Sequence, residues 1–174
     1  MKRGLILVAA LVLIWMSCGE KMTEEQLYAQ ALDFQEKQQW EELSDAYVKL
    51  VKTYPKSPKA DEHMYNLGMV YANNVKEYNK AITTWEKLLK NYPDSRLVVN
   101  TKFMIGYTYA NYLGDLDKAR ESYEAFIAEY PEHELVPSVK WELNHLGEDI
   151  SDIELQLGEE ELQDVEESLE ASAN

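Results

Sequence analysis

One spacing constrains this chain more than any other. The dipeptide Tyr-Pro occurs at Tyr54-Pro55, Tyr92-Pro93 and Tyr130-Pro131, 38 residues apart each time. A fixed period of 20–50 residues is the signature of stacked supersecondary units, because one such unit cannot bury its apolar face alone. Sliding the sequence by that period pairs Leu67-Gly68 with Ile105-Gly106, Tyr71 with Tyr109, Ala81 with Ala119 and Trp85 with Tyr123. The earliest unit fits more loosely. Tyr47, Leu50, Val51 and Tyr54 align, while its first helix falls one residue off, on Ala31 and Phe34.

Each unit reads as two helices. Met64, Leu67, Gly68 and Tyr71 share one helical face, and Ala81, Trp85, Leu88, Leu89 and Tyr92 share another, both at the i, i+3, i+4, i+7 spacing of an amphipathic helix. The segments 73–77 and 113–115 carry turn residues between them. Proline lacks an amide proton and disfavours helix at the residue before it, so Pro55, Pro93 and Pro131 end the second helices. Ser57 and Asp94-Ser95 supply cap chemistry to the unit that follows. A glycine inside a helix costs about 1 kcal/mol against alanine. Gly68 and Gly106 therefore need a reason, and the reading assigns one: Trp85 and Tyr123 lie against bare backbone, with Ala81 and Ala119 small for the same close approach.

These positions resemble the tetratricopeptide repeat (TPR), through Leu67, Gly68, Tyr71, Ala81, Trp85 and Pro93, and again through Ile105, Gly106, Tyr109, Ala119, Tyr123 and Pro131. The resemblance implies an all-α helical-hairpin solenoid. About three repeats are expected, over 23–58, 59–96 and 97–134, followed by a capping helix over 135–147. In such arrays the first helices line a groove. By register that face presents Glu25, Tyr28 and Leu32, then Glu62, Tyr65, Met69 and Asn73, then Asn100, Phe103, Tyr107 and Asn111. Aromatic rings and side-chain amides suit an extended peptide. The competing reading has Tyr28, Tyr65 and Phe103 merely packing between repeats. No Lys or Arg falls on these positions, which argues against a clamp for acidic C-termini and for a neutral or basic partner.

The two ends read differently from the middle. Lys2 and Arg3 precede the apolar run Leu5–Met16, and then come Ser17, Cys18 and Gly19. A basic start, a short apolar stretch and small residues form a secretory signal, and 12 apolar residues fall short of the ~20 that span a bilayer. The layout resembles a bacterial lipoprotein signal (1–17) in which Cys18 becomes the acylated first residue, with 18–22 as a linker. Acyl chains would anchor the chain in a membrane. Gly19, rather than Asp, after the cysteine points to the outer membrane. Cys18 is the single Cys of the chain, so no disulfide framework and no cysteine-based zinc site exist.

The 32 acids against 17 bases exclude a phosphate-binding basic surface, and with it nucleic acid as partner. Much of that excess sits in 148–174, which holds eleven acids and no Lys or Arg. Within this tail, Ile150, Ile153 and Leu157, and then Leu162, Val165 and Leu169, keep i, i+3, i+7 spacing. Two readings stand: a disordered acidic tail, or amphipathic helix that docks on the solenoid or on a basic partner. Glu142-x-x-His145 has di-iron ligand spacing but lacks the second copy such sites need, so no metal site, cofactor or small-molecule substrate is expected. No phosphate loop or nucleophile motif is present, and no enzyme is expected.

A lipoprotein signal followed by TPR units resembles the envelope TPR proteins of the BamD and YbgF types. BamD proteins carry more repeats, and YbgF proteins have a coiled coil for which this chain has no heptads. The resemblance implies a periplasmic scaffold on the outer membrane, engaged with a protein or peptide in outer-membrane protein assembly or envelope maintenance. The alternative it implies is a structural subunit of a larger envelope complex, as in the Tol-Pal system, with no function for the groove.

Overall fold

The computed structural model describes residues 21–148, and every structural statement below concerns them. Seven helices follow one another: α1 (Glu24–Glu36), α2 (Trp40–Thr53), α3 (Ala60–Val70), α4 (Tyr78–Asn91), α5 (Val98–Thr108), α6 (Leu116–Glu129) and α7 (Val136–Asn144). No strand occurs among the described residues. Each helix packs on the one before it and the one after it, the arrangement of a helical-hairpin solenoid. No helix among the described residues is long and apolar enough to cross a membrane.

The period is written into the backbone. Helices α2, α4 and α6 begin at Trp40, Tyr78 and Leu116 and are capped just past their ends by Tyr54, Tyr92 and Tyr130, with φ between −124° and −133°. These are the residues that proline pushes out of helical space. The turn that follows repeats as well: the amides of Ser57, Ser95 and His133 bond to the carbonyls of Tyr54, Tyr92 and Tyr130. Left-handed backbone recurs at Gln38 (φ 55°), Lys76 (φ 64°) and Gly114 (φ 63°), where the chain leaves each first helix. The first unit differs at its entry, where Thr23 and Gln26 form a reciprocal capping box.

Two expectations are corrected here. Asn73, Asn74 and Val75 belong to no turn, because α3 continues as a π-helical turn over Tyr71–Val75, and α5 does the same over Tyr109–Leu113. The connection shrinks to Lys76-Glu77 and Gly114-Asp115, with Glu77 and Asp115 amides closing back on the Tyr71 and Tyr109 carbonyls at 2.9 and 3.0 Å. Ser57 and Ser95 also stand two residues before the helix caps, Lys59 and Leu97. Their hydroxyls accept from the Lys59 and Leu97 amides and donate one unit back, to Glu24 and Asp61 at 2.6 and 2.5 Å. They stitch units together rather than starting a helix.

The core divides into three clusters, each completed by the next first helix. Leu27, Leu43, Tyr47 and Leu50 of the first hairpin meet Leu67 and Val70 of α3. Ala81, Ile82 and Trp85 meet Ile105 of α5. Ala119, Tyr123 and Phe126 meet Val136 and Val139 of α7. Helix α7 thus gives the third hairpin what α3 gives the first, and its outer side leaves Trp141 45 % exposed. The tyrosines of two Tyr-Pro pairs add a polar latch: Tyr54 donates to the Met22 carbonyl at 2.6 Å and Tyr92 to the Pro55 carbonyl at 2.8 Å. Tyr130 donates instead to its neighbour Glu129.

The glycines meet their rings as the spacing requires. A Cβ on Gly68 would stand 2.1 Å from Trp85 Nε1, and one on Gly106 would stand 2.7 Å from Tyr123 Cε1. Trp85, Tyr123, Ala81 and Ala119 are fully buried.

Candidate functional site

A surface feature with binding chemistry runs along α1. A recess of about 420 Å3 opens between α1 and α3, over the start of α2. Tyr28, Leu32 and Gln35 form one wall, and Asn66, Met69 and Asn73 the other. Leu32 is 46 % exposed there, an apolar side chain that the fold leaves uncovered. Four side-chain amides converge on the recess, since Asn74 joins Gln35, Asn66 and Asn73. An amide both donates and accepts, which is what an extended backbone requires of its binding site. The π turn at Tyr71–Val75 is the local reason Asn73 and Asn74 reach it, because the helix is prolonged where the sequence suggests a turn.

A second cleft of about 320 Å3 continues on the same helix and shares Tyr28 and Leu32. It holds Glu24, Glu25, Ser57, Lys59 and His63. His63 is 2 % exposed, with Nε2 2.8 Å from Glu24 Oε1. Its ring sits between those of Tyr28 and Tyr47, at centroid distances of 5.6 and 6.3 Å. The Ser57 hydroxyl, with the His63 contact adding, holds the Glu24 carboxyl below its ordinary pKa. Glu24 is therefore an anion at neutral pH, and the His63 Nε2–H donates to it. Nδ1 of His63 is buried with no hydrogen-bond partner. Burial pushes the Tyr47 hydroxyl up to about 12, so it stays a neutral phenol behind this wall.

At the other end, Tyr107 and Asn111 of the α5 segment gather beside Glu142 of α7. Asn111 Nδ2 approaches Glu142 Oε2 at 3.5 Å, and both line a cleft of about 320 Å3 with His145. Burial raises the Tyr123 pKa strongly, and the Glu142 charge adds to it. The carboxylate keeps this end negative.

The expected groove positions thus separate. Tyr28, Met69 and Asn73 share the recess between α1 and α3. Asn111 lines the other cleft, with Tyr107 touching Tyr112 and Phe103 at 5.9 Å. Tyr65 and Phe103 are half-buried, packed on the second and third core clusters. Bases stand beside these positions rather than on them: Lys59 lines the second cleft, and Arg96 reaches Glu62 at 2.6 Å. Both come from the turns between units, where helical register has no reach. The Glu24–Ser57–His63 group was not legible either, because its members lie 33 and 39 residues apart. Among the described residues no group of three potential ligands is placed to hold a metal ion. Cys18 and residues 149–174 lie outside the described residues.

With the helices and the recess in place, the comparison with known families is decisive. Residues 20–164 match the YfiO family, described as outer membrane lipoprotein. The chain belongs to this family. The match takes in all seven helices, and it begins two residues after Cys18. Membership in the YfiO family makes the chain a BamD-like TPR protein of the cell envelope. No curated protein matches it.

Proposed function

We propose that this YfiO-family protein is a non-enzymatic scaffold that captures an extended segment of another envelope protein along α1. The recess between α1 and α3 is the observation that carries this reading. Leu32 stands half uncovered beside Tyr28, facing Met69, with four amides around them. Rings supply apolar area at small entropy cost, the flexible thioether adapts to the partner's shape, and the amides bond to peptide backbone without demanding one side-chain sequence. The neighbouring Glu24 and Glu25 select for neutral or basic segments.

Acylation of Cys18 would hold this site at the periplasmic face of the outer membrane. Tethering confines partner and scaffold to one surface and raises their effective concentration, so a weak individual contact suffices. Such an anchored peptide receptor fits a role in outer-membrane protein assembly.

Two variants test the two halves of the proposal. Cys18→Ser moves the protein from the membrane fraction to the soluble periplasm, whereas continued membrane association rejects the lipid anchor. Asn73→Ala with Leu32→Ser abolishes partner capture while leaving the helical signal and folding midpoint near those of the parent. Undiminished capture by that double variant rejects the α1–α3 recess.

A further inference from the structure

A second groove, on the opposite side of α3, has chemistry that the scaffold reading does not use. It opens between α2 and α4 and has a volume of about 440 Å3. Val48, Val51 and Leu67 form its apolar floor, and Lys52, Lys80 and Lys87 rim it. No carboxylate lines it. In a chain with 32 acids and 17 bases, three lysines around an apolar floor run against the composition. Lys80 pairs with Glu77 and lies over the Tyr71 ring at 5.6 Å, with Asp45 nearby. Lys52 and Lys87 have no ion-pair partner among the described residues.

We propose that the chain's own acidic C-terminal segment occupies this groove as an amphipathic helix, with Leu162, Val165 and Leu169 on the Val48–Val51–Leu67 floor. The complementarity is twofold. The triplet shares one helical face, and at 3.6 residues per turn Glu159, Glu161 and Glu166 flank that face with the charge that the lysines lack. The connection also reaches. The groove lies three helix-to-helix steps from α7, across α5 and α6, about 30 Å at 8–10 Å per step. Residues 149–161, extended, span about 40 Å. This inference stands apart from the peptide site on α1, since neither groove contributes a residue to the other's binding wall.

Cysteine cross-linking in the full chain tests it. In a Cys18→Ser background, which removes the one natural thiol, Thr83→Cys marks the groove and Val165→Cys the tail. A second protein pairs Val165→Cys with Glu124→Cys on α6 as the control. The expected result is a disulfide within one chain that forms at least tenfold faster from the groove than from the control. Adding Lys52→Glu and Lys87→Glu slows it to the control rate, and so does raising salt to about 1 M, where charges are screened within about 3 Å. Equal rates from groove and control overturn the proposal. So do rates indifferent to the lysine reversals. Disulfides formed mainly between chains assign the groove to a second copy's tail and overturn it as well. Hydrogen exchange gives an independent reading: amides of 162–169 are protected at least tenfold in the parent, and lose that protection in the lysine variant. Absent protection in the parent contradicts the proposal.

Discussion

The second and third hairpins solve one packing problem with different rings. In the second, the Trp85 indole lies on Gly68 and its Nε1–H donates to the Tyr65 carbonyl at 3.2 Å. In the third, Tyr123 lies on Gly106, and its hydroxyl is buried with no hydrogen-bond partner. Both rings are wholly buried. The second contact is therefore complete in apolar area and in polar satisfaction, whereas the third leaves one polar atom unpaired near Glu142. The latches follow the same gradient, since Tyr54 reaches Met22 ahead of the first unit and Tyr92 reaches Pro55 one unit back, while Tyr130 bonds only its neighbour. The repeat fixes the shape of each hairpin, and the unit-to-unit polar bonds decide how firmly neighbours are joined. The firmer junctions hold α3 against α4 and the end of α2, and α3 forms one wall of the α1–α3 recess, so that wall is held from behind.

The most disruptive way to probe the comparison is a methyl group at each glycine. Overpacking a core costs about 1–3 kcal/mol and occasionally more, while Gly→Ala inside a helix returns about 1 kcal/mol of propensity. At Gly68 the new Cβ would stand 2.1 Å from a buried indole, so the clash wins and Gly68→Ala loses about 2 kcal/mol or more. At Gly106 the distance is 2.7 Å, and Gly106→Ala loses about 1 kcal/mol or less. Urea unfolding of the two variants checks the order, and an equal loss would break the contrast.

Removing the polar atoms comes next. Trp85→Phe gives up a buried hydrogen bond and ring volume and costs about 1–3 kcal/mol. Tyr123→Phe removes a hydroxyl that has no partner, and is neutral or stabilising by up to about 1 kcal/mol. The left-handed positions allow a finer exchange. Lys76 and Gly114 are equivalent and share φ near 64° and 63°. A side chain there strains the backbone, so Lys76→Gly stabilises by about 0.5–1 kcal/mol. Gly114→Lys destabilises by a similar amount, because a Cβ at Gly114 meets nothing within 4 Å and only the backbone is strained. Thermal midpoints read both.

The smallest effect depends on pH. The Glu24 carboxyl lies below its ordinary 4.5 because it accepts from Ser57 and His63 in the first junction. A depressed carboxyl contributes stability above its unfolded pKa and loses it as pH falls through the folded value. Acid titration of the folding midpoint therefore steepens below pH 4.5, and Ser57→Ala flattens that slope.

What the sequence discloses follows from the range of each interaction. The ends of the second helices are legible, because proline and apolar spacing act locally. Gly68 and Gly106 announce their ring partners, since a mid-helix glycine has an energetic cost that asks for a cause. The π turns stay hidden, as Asn73 and Asn74 have turn-forming chemistry that the packing of Ala72 overrides. The site is legible only in part. Register found Tyr28, Met69 and Asn73 on one face, but it could not separate them from Tyr65 and Phe103, whose fate depends on neighbouring helices. Arg96 with Glu62 and the Glu24–Ser57–His63 group join residues 33 to 39 positions apart, beyond the reach of register within one helix.

A photo-reactive amino acid at Leu32, in living cells, tests the central claim most directly, with Glu124 and Trp141 as comparison positions. The account predicts a discrete adduct with an envelope protein from Leu32, lost when Asn73→Ala is added, and none from Glu124. An adduct from Trp141 alone, with Leu32 silent, would contradict it and make the solenoid's end, rather than its α1 wall, the contact surface.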